Sequence, residues 1–317
     1  MFQIILIVSL IFILYRWLTG TRSDSVCCLV GKTAIVTGGN GGIGFAIVLL
    51  LASRGCRVII ADKTNAEASV KKIKQLSKNS NIIAKHLDLS SFASIRKFAE
   101  DINISEKKIH ILINNAGINS SNDYRTEDGI SSAMQVNYLG PFLLTHLLVD
   151  RLKEAEGARV VFVGSVLALF NNLSVENLTG FDPSKEVFWL NILYGNSKAG
   201  NILAAQEFGK KLKKYNIAAF AADPGINRTN IFDVKDETLL YKVVRMVILW
   251  IAGHKPIVGA QTAFHLATSD EMEGTTGGYY FQCKRWIKPW KMNDPDFCEQ
   301  IWKKSEILVK LNPHEIL

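Results

Sequence analysis

The chain has no cysteine framework. Its five cysteines are an odd number without scaffold spacing. That excludes a disulfide-stapled module and fits a reducing, cytosol-facing domain. Cys27-Cys28 is open to palmitoylation, although an unmodified linker pair is the better account of it. No cluster of His, Cys or carboxylates has metal-ligand spacing, so no metal is expected. Internal repeats and low-complexity stretches are absent, which excludes a repeat array. The formal net charge of +8 comes without a nucleic-acid recognition motif, so no nucleic-acid partner is expected. Lysine runs such as Lys71-Lys72-Ile73-Lys74 and Lys210-Lys211-Leu212-Lys213-Lys214 read as solvated helix faces. Attraction to anionic lipid is a second use for them.

What is present is regular alternation. Short apolar strand runs alternate with helix-compatible stretches over 317 residues. This is enough for one large core and indicates an α/β fold with a single, doubly wound parallel sheet of Rossmann type. Thr33-Ala34-Ile35-Val36 suits a buried strand. It breaks into Thr37-Gly38-Gly39-Asn40-Gly41-Gly42-Ile43-Gly44, and an apolar helical stretch runs from Phe45 to Ser53. Strand, glycine turn and helix form the context that a dinucleotide fingerprint requires. Gly38 allows the tight turn, Gly42 lets backbone approach a pyrophosphate, and Gly44 lets helix and strand pack closely. Asn40 and Ile43 lie within the same cradle. The next strand, Arg57 to Ala61, ends at Asp62, near the ~20-residue spacing at which an acid meets a ribose 2′-hydroxyl. A carboxylate there repels a 2′-phosphate and argues for NAD. Lys63 argues weakly for NADP, which stays open.

Further on stands Tyr194-Gly195-Asn196-Ser197-Lys198. A tyrosine and a lysine four apart on a helix project from one face. A phenol of pKa about 10 is a poor acid/base at neutral pH, and a nearby cation pulls it toward the working range. Taken alone, such a pair is better explained by one core ring and one solvated amine. Here it follows a glycine turn and Ser165, and precedes Asp223-Pro224-Gly225.

Together these motifs resemble the short-chain dehydrogenase/reductases, and within them the membrane-bound retinol dehydrogenases, from about Gly31 to the C-terminus. The T-G-x-x-x-G-x-G pattern is Thr37, Gly38, Gly42 and Gly44. The N-N-A-G pattern is Asn114-Asn115-Ala116-Gly117, and Asp88-Leu89 is similar to the family's adenine-side pair. The stretch around Asn137, Gly259-Ala260-Gln261-Thr262 and Gly278-Tyr279-Tyr280-Phe281 also resemble that subfamily. The resemblance implies that Tyr194 is the general acid/base. Lys198 would hold the nicotinamide ribose and lower the tyrosine's pKa. Ser165 would hydrogen-bond the substrate oxygen, and Asn137 would position a water joining Lys198 to solvent. It also implies that Asn115, Ala116 and Gly117 line the cofactor, that Pro224 and Gly225 lie beside the nicotinamide, and that Thr229 contacts its carboxamide.

The chain departs from that pattern in places. Gly164 precedes Ser165 where the subfamily more often has serine. The Ser165–Tyr194 separation is longer than usual, and the inserted stretch Asn171 to Lys185 reads as a polar surface loop. Asn227 replaces an apolar residue after the Pro-Gly turn. Asp62-Lys63 stands where NADP-using retinol dehydrogenases have Cys-Arg.

The N-terminus is apolar from Phe2 to Tyr15, broken by Gln3 and Ser9. It is somewhat short of the ~20 residues of a spanning helix. A spanning anchor and a segment embedded in one leaflet both remain open. A cleaved signal is disfavoured, because neither a basic leader nor a small-residue cleavage site is present. Arg16, Arg22 and Lys32 follow the run and favour a cytosol-facing enzyme, at the endoplasmic reticulum or a lipid droplet. Leu239 to Ala252 is a second apolar stretch, read either as a membrane-touching lid or as core. Asp296 to Leu311 reads as an amphipathic packing helix.

The organisation expected is an anchor over 1–18, a linker over 19–30, a catalytic domain over 31–285 with a lid near 227–256, and a packing tail over 286–317. The function expected is hydride transfer between NAD and a lipophilic alcohol or carbonyl: a retinoid, a steroid or a long-chain alcohol. Membrane lipid and a second copy of the chain are candidate partners. The alternatives are a catalytically weak lipid-surface protein of the same fold and a carbonyl reductase of small xenobiotics.

Overall fold

The computed structural model describes residues 22–180, 188–228 and 253–317. The anchor stretch, most of the lid region and Thr229 lie outside the described residues. Among the described residues no helix is long and apolar enough to cross a membrane.

Eight strands form one sheet. They are β1 (Thr33–Thr37), β2 (Arg57–Asp62), β3 (Ile82–His86), β4 (Ile111–Asn114), β5 (Arg159–Val163), β6 (Ala218–Asp223), β7 (Tyr279–Phe281) and β8 (Lys284–Arg285). Their spatial order is β3-β2-β1-β4-β5-β6-β7-β8. All neighbours are parallel except β7 and β8. The central strands read as unbroken apolar runs because both of their faces are covered, and every residue of β1 and β4 is buried. At the edge, β3 buries Ile82 and then alternates between half-buried and exposed positions.

On one face, α1 (Gly42–Ala52), α2 (Glu67–Ser77) and α8 (Pro256–Thr268) close a core of Ile47, Leu51, Ile60 and Phe264. The other face is closed by α3 (Phe92–Ser105), α5 (Gly140–Leu147), α7 (Phe188–Leu212) and α9 (Pro295–Leu308), with Phe142, Phe208 and Trp302 at its centre. The short α4 (Ser132–Met134) leads through a π-helical turn, Gln135–Leu139, into α5. The small α6 (Val149–Lys153) follows.

Chain order reverses between β1 and β4, which opens a crevice at the carboxyl ends of the strands. Ligands bind at such a switch point in open α/β sheets. The glycine turn after β1, the Asn114–Gly117 turn after β4 and Ser165 after β5 all line this edge.

Two readings of the sequence need correction. Helix α1 begins at Gly42, inside the glycine motif, rather than at Phe45. The inserted stretch is only partly a surface loop, for Leu173 and Leu178 are buried in the core. Its asparagines bond one another and the catalytic helix. Asn172 N–H donates to Asn196 Oδ1 at 2.9 Å, and Asn196 Nδ2 to Asn172 Oδ1 at 2.8 Å. Two apolar anchors and a closed amide network account for the burial.

Candidate active site

The nucleotide end is shaped by backbone. Gly38 and Gly42 have φ of 65° and 53°, in the left-handed region that favours glycine. A Cβ on Gly44 would lie 2.1 Å from the Gly38 carbonyl oxygen and 2.5 Å from Asn115 Nδ2. The next turn explains this crowding. Asn115 Nδ2 donates to the Thr37 carbonyl at 2.9 Å, and the Asn115 and Ala116 N–H groups donate to Thr37 Oγ1, each at 3.0 Å. Asn115 and Ala116 thus fix the glycine turn itself. Gly41, the residue before α1, is extended, bears no side-chain cap and faces open space. This 11-residue helix therefore presents uncapped N–H groups and the positive end of its dipole to the crevice. These features fit a dinucleotide's pyrophosphate.

Asp62 ends β2. Its Oδ1 accepts from Thr64 N–H and Thr64 Oγ1 at 3.0 and 2.7 Å, and its Oδ2 accepts from Asn40 N–H at 3.3 Å. The carboxylate is held at the lip of the glycine turn. Asp88 is half-buried, and its carboxylate accepts from Ser90 N–H and Oγ. Although burial opposes this, those bonds and the charges of Lys63 and His86 hold Asp88 below the usual carboxylate range. Leu89 is buried in the core on one face of the sheet, while Ile43 packs at the edge of the core on the other. Pro224 and Gly225 form the turn after β6, with Gly225 at φ 69°.

The catalytic end is built from side chains. Tyr194 and Lys198 lie one turn apart on α7, with Lys198 Nζ 5.6 Å from the tyrosine ring centroid. Ser165 caps a 3₁₀ turn, Val166–Leu169, through Leu167 N–H at 3.2 Å, and it hydrogen-bonds the Tyr194 phenol. Gly195 lets these segments meet: a Cβ there would lie 2.5 Å from the Phe170 carbonyl oxygen and 2.8 Å from that of Leu167. Asn137 sits in the π-helical turn, a feature that often marks functional sites. Its amide donates to the Ile118 carbonyl and to Ser197 Oγ, both at 3.0 Å, and accepts from Ile118 N–H at 2.8 Å. Gly117 joins the two ends, since a Cβ on it would stand 3.3 Å from both Asn137 Oδ1 and Lys198 Nζ.

The electrostatics differ from the expectation that Lys198 lowers the tyrosine's pKa. Burial pushes the Tyr194 phenol up, and the charge of Asp223 adds to that push, while the Ser165 bond opposes it. Lys198 instead donates to the Val163 carbonyl at 3.0 Å, and burial pulls its ammonium down to about 8. Asp223 is buried and accepts from Tyr279 Oη at 2.6 Å and from Gly225 N–H at 2.8 Å. Sequence reasoning placed Asp223 in the nicotinamide turn without giving it a task. Its signal was a lone acid directly before Pro-Gly. Tyr279 lay in the Gly278–Phe281 stretch that carries the resemblance, but as one of three consecutive aromatics it gave no sign of a task of its own.

Open α/β sheet, glycine cradle and a Ser-Tyr-Lys cluster at the switch point define a nicotinamide-dependent oxidoreductase of the Rossmann type. Residues 32–239 match the family described as short chain dehydrogenase, and the chain belongs to that family. It is 35% identical over 315 residues to retinol dehydrogenase 12 of Mus musculus, covering 96% of this chain and 97% of the relative. Among solved structures, an uncharacterised protein from Mycobacterium Paratuberculosis superposes with a TM-score of 0.72 at 25% identity, over 93% of this chain and 99% of that one. The Pseudomonas aeruginosa RhlG/NADP active-site complex does so at 0.62 and 25% identity, over 83% and 97%.

Proposed function

We propose that the protein is a membrane-attached, NAD(H)-preferring dehydrogenase/reductase of lipophilic alcohols and carbonyls, with retinoids as the leading class. The observation that carries the chemistry is the Ser165–Tyr194 hydrogen bond beside Lys198 at the mouth of the glycine cradle. When bound, the nicotinamide supplies or accepts the hydride. The pyrophosphate would be held by Gly38, Gly41, Gly42 and Ile43 at the start of α1, the ribose hydroxyls by Asp62 and Lys198, and the adenine side by Asp88 and Leu89.

Ser165 orients the substrate oxygen and stabilises charge as it develops there. Tyr194 Oη moves the proton, giving it to a carbonyl oxygen or taking it from a hydroxyl.

Three observations support the finer parts of the reading. The relative named a retinol dehydrogenase favours a retinoid. Val166, Phe170 and Ile226 leave apolar side chains exposed on the segments next to Ser165 and Gly225, as an entry for lipophilic substrate would. Asp62 at the cradle's lip favours NAD. Attachment rests on the apolar run from Phe2 to Tyr15. The chain leaving that run is strapped to α8, where Ser23 N–H donates to Gln261 Oε1 at 3.0 Å and Thr268 Oγ1 to Ser25 Oγ at 3.0 Å.

The test is turnover of all-trans-retinaldehyde and all-trans-retinol, with a steroid and a fatty alcohol alongside, under NAD(H) and NADP(H). Tyr194→Phe should lower kcat by about 10²- to 10⁴-fold while cofactor affinity stays within a few-fold. Retention of most activity by that variant would refute the role of Tyr194. Absence of turnover across the panel would favour the lipid-surface alternative. Loss of membrane sedimentation on deleting residues 1–18 checks the attachment.

A further inference from the structure

We infer that Asp223 is the counter-ion of Lys198 and a positioning residue of the active site, an assignment that rests on the hydride-transfer reading above. Asp223 is the last residue of β6 and is 2% exposed. An unpaired buried carboxylate is costly, and this one is met by three donors. Tyr279 Oη reaches Oδ2 at 2.6 Å, Gly225 N–H reaches Oδ1 at 2.8 Å, and the Val166 N–H completes the set. Val166 directly follows Ser165, and Gly225 belongs to the turn assigned to the nicotinamide. One carboxylate therefore ties the substrate-oxygen side of the site to the cofactor side, and β7 braces both.

Lys198 needs such a partner. It is 2% exposed, and its ammonium donates to a neutral group, the Val163 carbonyl. Val163 pairs with Ala222 in the sheet register, so the lysine's docking point and Asp223 sit on adjacent strand ends. The groups that face Lys198 come from every element packed there. They are the Tyr194 phenol on its own helix, the Asn137 amide from the π-helical turn, and Asn201 Nδ2, which shares the Val163 carbonyl at 3.1 Å. From the end of β5 comes the Ser165 hydroxyl, from β6 Asp223, and from β7 Tyr279 behind it. Of these, Asp223 brings the formal negative charge.

Burial alone drives a lysine toward the neutral amine. Here it draws Lys198 down to about 8, and the attraction of Asp223 opposes the fall. In return the ammonium steadies the carboxylate, which burial pushes up. The consequence is functional. Lys198 meets the ribose as an ammonium at neutral pH because Asp223 lies behind it. Without that charge it becomes a neutral amine within the working range.

Fluorescence titration of NADH against the full-length chain, from about pH 6 to about pH 9, reads this without requiring turnover. Asp223→Asn keeps an acceptor for the Gly225 and Val166 N–H groups and an amide for Tyr279, but removes the charge. In the wild type, NADH affinity should fall as pH rises through about 8. In Asp223→Asn that break should move down by about one pH unit or more, and the break in kcat/KM for the cofactor should move with it. Asp223→Glu, which keeps the charge, should leave the break near the wild-type position. An unmoved break in a folded, NADH-binding Asp223→Asn chain overturns the assignment and leaves the proposed function standing. Should Asp223→Asn not fold, Tyr279→Phe is read in its place. It withdraws one donor from the carboxylate and should shift the break in the same direction by less; an unchanged break again overturns the assignment. Failure of the wild type to bind either NADH or NADPH removes this inference together with the proposed function.

Discussion

The two ends of the crevice are made of different materials. At the nucleotide end the shape is backbone: the Asn115–Ala116 turn presses on Gly38 and Gly44, and Gly42 answers a left-handed φ of 53°. At the catalytic end the shape is side chain. Ser165, Tyr194, Lys198 and Asp223 come from three separate elements and set one another's proton affinities. An end built on backbone fails by steric exclusion and loses binding. An end built on coupled ionisable groups fails by misplacement or mistuning and loses rate.

Two glycine substitutions break or sharpen that contrast most strongly. Gly195→Ala would put a methyl 2.5 Å from the Phe170 carbonyl oxygen and push the Ser165 turn off α7. It should lower kcat by about 10²-fold, because a shift of about 1 Å in a reacting group has that cost. NADH affinity should stay within a few-fold. Gly44→Ala would put a methyl 2.1 Å from Gly38 O, on rigid backbone. Overpacking of this kind costs about 1–3 kcal/mol. It should therefore weaken NADH binding by about tenfold or more and lower Tm. Fluorescence titration and steady-state kinetics on both variants decide the matter. Equal losses of binding and rate in each would dissolve the distinction between the ends.

Asp62 is the exception that tests the rule, since it is a side chain at the backbone-built end. Asp62→Ala removes the carboxylate that repels a 2′-phosphate. It should reduce the preference for NAD over NADP in kcat/KM by roughly tenfold, with kcat at saturation little changed. A wild-type preference for NADP would show instead that the lysine beside Asp62 governs selection.

Why the halves differ in legibility follows from the same contrast. The glycine turn can be read in sequence because its requirement is local: each glycine answers a φ or a close approach within one strand–turn–helix unit. The sheet is readable as well, because buried parallel strands carry continuous apolar runs, as Ala34–Val36 of β1 and Ile111–Ile113 of β4 show. The catalytic residues were legible as types and spacing, Tyr194 and Lys198 lying on one helix face. Their electrostatics were not. The direction of the Tyr194 shift follows from burial that the local sequence does not encode, and Asp223, brought near through the sheet from the end of β6, adds to it. The stretch after Asn171 misled for a related reason. Its polar residues satisfy one another, and Leu173 and Leu178, which bury it, are too few to make a periodic pattern.

The smallest effect concerns the layer behind the catalytic end. His146 on α5 is packed among Phe142, Phe208 and Trp302, with ring centroids 4.5, 4.8 and 5.3 Å away. Its Nδ1 lies 3.0 Å from the Phe142 carbonyl oxygen, which can only accept, so Nδ1 carries the proton. Nε2 is buried without a hydrogen-bond partner. A charged imidazole is disfavoured there, and burial pulls its pKa down to about 4 from an ordinary 6.5. Between those values the unfolded chain binds a proton that the folded chain refuses. Stability is then complete above pH 6.5 and is lost as pH falls toward 4, by up to about 3 kcal/mol from this group. Because α7 shares this cluster through Phe208, acid should loosen the packing of α5, α7 and α9 before it disturbs the glycine cradle. His146→Phe keeps the ring and removes the titration. Urea unfolding at several pH values should give a flatter acid limb for the variant, while kcat near neutral pH stays close to wild type. An unchanged acid limb would assign the loss to other groups, and acid sensitivity would no longer distinguish the side-chain-built half from the backbone-built one.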